Sequence, residues 1–134
     1  MTEAPLFVKT YDLVVWLTQR TLTFPKQHRF GLAARIMEQA HQALESVTLA
    51  LRGFERIENV ERADAAFALL RVYLRLARDL ELLRSQQLFH AIARIEELGK
   101  MLGGWQKKLY ERELTGPGNA RGLEPRQSRR QLEQ

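Results

Sequence analysis

Residues 88–109 read Leu88-Phe89-His90-Ala91-Ile92-Ala93-Arg94-Ile95-Glu96-Glu97-Leu98-Gly99-Lys100-Met101-Leu102-Gly103-Gly104-Trp105-Gln106-Lys107-Lys108-Leu109. Leu88, Ala91, Ile95, Leu98, Leu102, Trp105 and Leu109 recur at alternating three- and four-residue steps, the period of one face of an α-helix. The pattern predicts a long helix with one buried face, capped by Ser85 and ending near Glu113. Inside it lie Gly99, Gly103 and Gly104, each costing about 1 kcal/mol relative to alanine. A helix that accepts them is expected to need close backbone approach, so Gly99, Gly103, Gly104 and Trp105 are read as a tight packing site.

Three further blocks precede this helix. The first runs from about Leu6 to Phe24, with Val8, Tyr11, Val15, Thr18 and Leu22 along one face. Pro25 ends it, because proline disfavours helix at the residue before it and has no N–H to donate. The second begins between Gln27 and Phe30. Its stripe is Ile36, Ala40, Ala43, Leu44, Val47, Leu51 and Phe54, and Gly53 marks its end. The third starts at Asn59, a residue type that caps helix N-termini, and runs to about Leu83. No stretch alternates with the period of a strand, and no Asn-Gly or Asp-Gly turn joins β-branched runs. Four helices of about 20–28 residues on short connections predict an all-α, antiparallel up-down four-helix bundle over residues 1–113. After it, Thr115-Gly116-Pro117-Gly118-Asn119 breaks the pattern. Residues 114–134 have too few apolar side chains to offset the entropy of ordering, and are expected to form a disordered basic tail.

The chain has 134 residues, room for one domain, and no cysteine. Disulfides, zinc ribbons and thiol catalysis are thereby excluded. No apolar run reaches the roughly 18–20 residues of a membrane span, and the N-terminus lacks the charge and apolar run of a signal peptide. A cytoplasmic protein is expected. The formal charge is +5, of which four arginines and two glutamates in residues 114–134 carry +2. So small an excess makes the placement of charge more telling than its total.

Placement is most distinctive in the third helix. At 100 degrees per residue, Asp64, Arg75, Arg78 and Leu82 fall within about 40 degrees of Arg71. Nearly everything else from Ala63 to Leu83 is apolar, more than the stripe of roughly 100 degrees that a bundle helix buries. The surplus, read as Phe67, Leu70 and Leu74, predicts a homo-oligomer interface. The arginines form either a solvated face, with Arg75 pairing to Asp79, or a phosphate ladder of planar guanidinium forks. Lys26 and Arg29, beside Pro25, and Lys107, Lys108 and Arg112, in the last turns of the fourth helix, are further nucleic-acid or partner contacts. For the latter group, attraction to the negative end of the helix dipole is the alternative.

Catalytic chemistry finds little support. Glu38-Gln39-Ala40-His41 is half of a di-iron motif without its second half. Glu96 and Glu97 diverge by about 100 degrees on a helix and cannot converge as an acid–base pair. Leu102-Gly103-Gly104-Trp105 lacks the context of a phosphate loop. No enzyme, metal or cofactor is expected.

The pieces Tyr11-Asp12, Phe24-Pro25-Lys26, Arg29-Phe30-Gly31-Leu32, Leu70-Arg71-Val72-Tyr73-Leu74-Arg75-Leu76 and Leu98-Gly99-Lys100-Met101-Leu102-Gly103-Gly104-Trp105 also carry a family likeness. Over about residues 6–112 the chain resembles the accessory variability determinant proteins of diversity-generating retroelements. These sit among four-helix proteins related to those encoded within bacterial 23S ribosomal RNA genes. The resemblance implies a homopentameric barrel without catalytic activity. It also implies binding to the element's reverse transcriptase and to its template-repeat RNA, or an RNA/cDNA hybrid, during mutagenic copying. A ribosomal intervening-sequence relative, or a scaffold with no polymerase partner, is the alternative.

Overall fold

Four helices form where the apolar period predicts them. A computed structural model describes residues 3–115. The helices are α1 (Pro5–Thr21), α2 (Leu32–Leu51), α3 (Arg56–Asp79) and α4 (Ser85–Thr115), with a single 3-10 turn, Lys26–His28, between α1 and α2. No strand occurs among the described residues. Each helix packs along the next, and α4 closes back on α1, the adjacency of an up-down bundle. The α2/α3 seam is the most extensive and the α1/α4 seam the least. The basic tail expected over residues 114–134 lies outside the described residues except for Leu114 and Thr115, which belong to α4.

The core follows the stripes of α2 and α4. Ile36, Ala40, Ala43 and Val47 are buried and Leu44 and Leu51 partly so, whereas Phe54, the last residue of the expected α2 stripe, lies beyond the end of α2 and is 58% exposed; Leu88, Ala91, Ile95, Leu98, Leu102 and Leu109 are buried. Trp105 packs against this core from a partly exposed position. In α1 the expected face is the wrong one. Leu6, Thr10, Leu13, Val14 and Leu17 point inward, whereas Val8, Tyr11, Val15 and Leu22 are exposed. Both stripes have helical spacing, and only the position of the neighbouring helices selects between them.

The same choice corrects the reading of α3. Phe67, Leu70 and Leu74 are 2%, 0% and 1% exposed, so they are core within one chain and not the surplus that a second chain would cover. With Val60, Ala63 and Ala77 they form the inward face of α3. An apolar surplus does exist, on another sector of the helix: Leu69, Val72, Leu76 and Leu80 are 46%, 62%, 44% and 50% exposed.

Helix ends depend on backbone geometry more than on residue type. Gly53 closes α2 as expected. Its φ is 91°, its N–H bonds to the Ala50 carbonyl at 3.0 Å and the Phe54 N–H to that of Leu49 at 2.9 Å, a Schellman closure. Helix α3 ends in the same way, four residues before the expected Leu83. There Glu81 takes the left-handed position (φ 63°), while Leu82 N–H bonds to the Ala77 carbonyl at 2.8 Å. Glutamate carries no sequence signal for that conformation. Asn59 is not the cap of α3. It is buried in the first turn, where its Nδ2 donates to the Phe54 carbonyl at 2.7 Å and its Oδ1 accepts from Arg62 Nη1 at 2.8 Å, tying α3 to the preceding turn. Ser85 is the first residue of α4 and not its cap. Gln87 Oε1 accepts from the Arg84 N–H at 3.0 Å, the reciprocal half of a capping box.

The glycines of α4 also depart from expectation. A Cβ placed on Gly99, Gly103 or Gly104 would meet no atom within 4 Å apart from its chain neighbours and the adjoining helix backbone, so no other element among the described residues approaches them closely. With that space open, Gly103→Ala removes a helix-interior glycine at no steric cost. It is expected to raise the thermal midpoint by about 4 °C in circular dichroism, from about 1 kcal/mol of helix propensity. A lowered midpoint would show that a second chain's backbone lies against this face.

Candidate nucleic-acid interface

Helix α3 divides into three sectors. With Arg71 at zero, the core positions Leu70, Leu74 and Phe67 lie at about −100 to −40 degrees, and Arg71, Arg75 and Arg78 at about −20 to +40 degrees. Leu69, Val72, Leu76 and Leu80 lie at about 100 to 180 degrees. The arginine sector turns toward α4. Arg71 Nη2 donates to Glu96 Oε1 across the seam at 3.1 Å, and Arg78 Nε donates to Asp79 Oδ1 at 3.0 Å. Asp79 therefore serves Arg78 and not Arg75, the partner that helical spacing predicts. Arg75 has neither an ion pair nor a hydrogen bond among the described residues.

The structure brings these three arginines together in a furrow between α3 and α4. One end, about 410 Å³, is lined by Asp64, Phe67, Ala68, Arg71, Ile95, Glu96, Gly99 and Lys100. The other, about 310 Å³, is lined by Arg71, Arg75, Arg78, Leu88, Phe89 and Ile92. Arg71 belongs to both ends. Its pair with Glu96 is half-exposed, 54% and 51%, so it is worth at most about 1 kcal/mol and exchanges readily for a phosphate. An anion entering the furrow thus meets one unpaired guanidinium flanked by two others whose partners are easily displaced.

Phe89 carries no signal of function in the sequence, yet it lines the arginine end of the furrow and is 65% exposed. What could have pointed to it is its register: it stands one residue off the buried position Leu88, so the heptad leaves it outside the core.

The other basic residues do not join this furrow. Lys26 and Arg29 line a separate cavity of about 400 Å³ at the corner of α1 and α2, with buried Phe24, Ala33 and partly buried Met37. Lys107, Lys108 and Arg112 are exposed on the far turns of α4, where Lys107 is about 27 Å along the axis from Phe89. A larger cleft of about 560 Å³ runs along the α1/α4 seam. Its lining sets Glu3, Asp12 and Glu97 against Lys9 and Arg94, which offers a polyanion no net attraction.

Glu96 and Glu97 diverge as the spacing requires: Glu96 reaches Arg71 on α3, while Glu97 pairs with Lys9 on α1 at 2.7 Å. The hydrogen bond and charge of Lys9 hold the Glu97 carboxyl below its usual range. Glu38 pairs with Arg35 at 3.3 Å, and no cluster of metal-ligating side chains occurs among the described residues. No helix in the described residues is long and apolar enough to cross a membrane.

No curated protein matches the chain. The bAvd-like family does match it, over residues 6–109, a span that takes in nearly all of α1, α2 and α3 whole and most of α4, including every furrow residue. That match covers most of the chain's length, and the protein belongs to the bAvd-like family.

Proposed function

We propose that the protein is the accessory variability determinant of a diversity-generating retroelement, a basic cytoplasmic oligomer without catalytic activity. On this reading it holds the element's reverse transcriptase and its template-repeat RNA, or the RNA/cDNA hybrid, in one complex during mutagenic cDNA synthesis. Family membership supports the role, and the arginine furrow with unpaired Arg75 supports the nucleic-acid contact. Lys26 with Arg29, and Lys107 and Lys108 with Arg112, lie on other faces and supply contacts to the remaining stretches of RNA or to the polymerase.

The exposed apolar stripes support oligomerisation. One protomer carries two of them: Leu69, Val72 and Leu76 on α3 with Leu80 at its C-cap, and Val8, Tyr11 and Val15 on α1 with Leu22 at its C-cap. Two unlike patches on one chain suit a head-to-tail interface, the kind that closes into a ring. A pentamer of the 15.6 kDa chain would have a mass of about 78 kDa. The stripe and the furrow occupy different sectors of α3, so a subunit can dock on one while a polyanion lies in the other. The ring repeats the furrow, and repetition raises the hold on one long RNA.

The reading is tested by co-purifying the protein with the reverse transcriptase and template-repeat RNA of its element, in wild type and as Arg71→Ala with Arg75→Ala. Wild type is expected to retain both partners at moderate salt. The double variant is expected to keep its oligomeric mass and to bind RNA more weakly. Its salt dependence should be shallower by about 0.7 in log–log slope for each phosphate that is no longer neutralised. A double variant that falls apart would make the arginines structural. Wild type that retains neither partner would leave a ribosomal intervening-sequence relative or a plain scaffold.

A further inference from the structure

The arginine end of the furrow holds an aromatic ring that the bundle does not use. Phe89 is 65% exposed beside Leu88, which is 6% exposed, so the helix turns one apolar side chain inward and the next outward. A phenylalanine left in water forgoes most of its burial and presents a flat π face. It shares its cavity with Arg71, Arg75 and Arg78, and the apolar floor is Leu88 and Ile92. Basic side chains interleaved with an exposed ring form the pattern that holds unpaired strands: cations take the phosphates, and the ring takes a base.

We propose that this end of the furrow binds single-stranded RNA, with one base stacked on Phe89 and its flanking phosphates on Arg75 and Arg78; the proposal rests on the RNA-binding reading above. A duplex keeps the faces of its bases inside its own stack and has none to offer Phe89, whereas a single strand splays its bases out. Arg75 meets a phosphate with its charge uncompensated. Arg78 must exchange only Asp79, its neighbour in sequence. Charge selects RNA over an apolar partner here, because among the described residues three guanidinium groups line the cavity and no carboxylate does.

The test uses the full chain and a labelled single-stranded RNA of mixed sequence, the same strand annealed to its complement, and the DNA strand of the same sequence. Binding is followed by fluorescence anisotropy over a range of salt. Phe89→Ala is expected to weaken single-stranded RNA binding about tenfold, the effect of unstacking one base, with unchanged salt slope. Phe89→Trp is expected to restore affinity, and duplex RNA to be indifferent to both changes. Circular dichroism and oligomeric mass should match wild type, because the side chain removed is mostly in solvent. Unchanged affinity in Phe89→Ala, while Arg71→Ala with Arg75→Ala still weakens binding, would overturn the stacking and leave the RNA reading standing. Wild type that binds no RNA would overturn both. A lowered oligomeric mass in Phe89→Ala would assign the ring to a second copy of the chain. Phe89-dependent binding that favours the DNA strand would assign the furrow to cDNA, and either result overturns the proposal.

Discussion

Val72→Glu with Leu76→Glu is expected to reduce the protein from an assembly to a single 15.6 kDa chain in analytical ultracentrifugation, with its helical content kept. Val72 is 62% exposed and Leu76 44% exposed, so neither change places a charge in the core of the bundle. In an assembled interface the same two carboxylates would be desolvated without partners, a cost of several kcal/mol for each. Multiplied around a ring, that outweighs what a contact of ordinary size supplies. If the protein binds RNA as proposed, the consequence is as large: separating the subunits would remove the repetition of the furrow, and avidity of this kind contributes about 10²–10⁴ in affinity. An unchanged mass would move the interface off α3, and the α1 stripe would become the next site to charge.

Leu74→Ala should destabilise the chain itself, by about 3–4 kcal/mol in urea unfolding. Leu74 is 1% exposed and sits in the seam between α3 and its neighbours, so the truncation leaves a cavity that rigid helices only partly close. Against a total of about 5–15 kcal/mol this is a large fraction. The destabilisation should not depend on protein concentration. Leu76→Ala, two residues along and 44% exposed, provides the contrast: its effect should be small in the separated chain and should grow with assembly. A concentration-dependent effect for Leu74→Ala would return that residue to the subunit interface that its sequence pattern suggests.

These two leucines show where reading a sequence stops. Both belong to apolar rows of helical spacing on one helix, and the spacing is identical for a row that faces a neighbouring helix and a row that faces outward. In α1 the row that spacing suggests, Val8 through Leu22, is the exposed one; in α3 the row that suggests a second chain is the core. In α4, by contrast, the expected row is buried apart from partly exposed Trp105, because Glu96, Lys100, Lys107 and Lys108 mark the other side as polar. The glycines mislead for a related reason. Their cost in a helix is visible in sequence, whereas the space around them depends on how far the other helices extend.

The site is legible in the same measure. The arginine ladder at 71, 75 and 78 follows from residue type and the 100-degree step alone. That Glu96 takes Arg71, that Asp79 chooses Arg78, and that Arg75 is left without a partner among the described residues cannot be read from it. Nor can the joining of Phe89 to the ladder, since the two lie on different helices.

By itself the sequence determined that there are four helices, that they form an all-α bundle and that α2 and α4 bury particular faces, because helical period and composition are local properties of the chain; the bAvd-like family is carried by its matching stretches over residues 6–109. The tertiary structure decided which stripe of α1 and α3 is core, where Glu81 stops α3, and which arginine among the described residues stands without an ion pair in a furrow beside an exposed ring. Each of those depends on what packs across from a residue, and that is settled only when the helices meet.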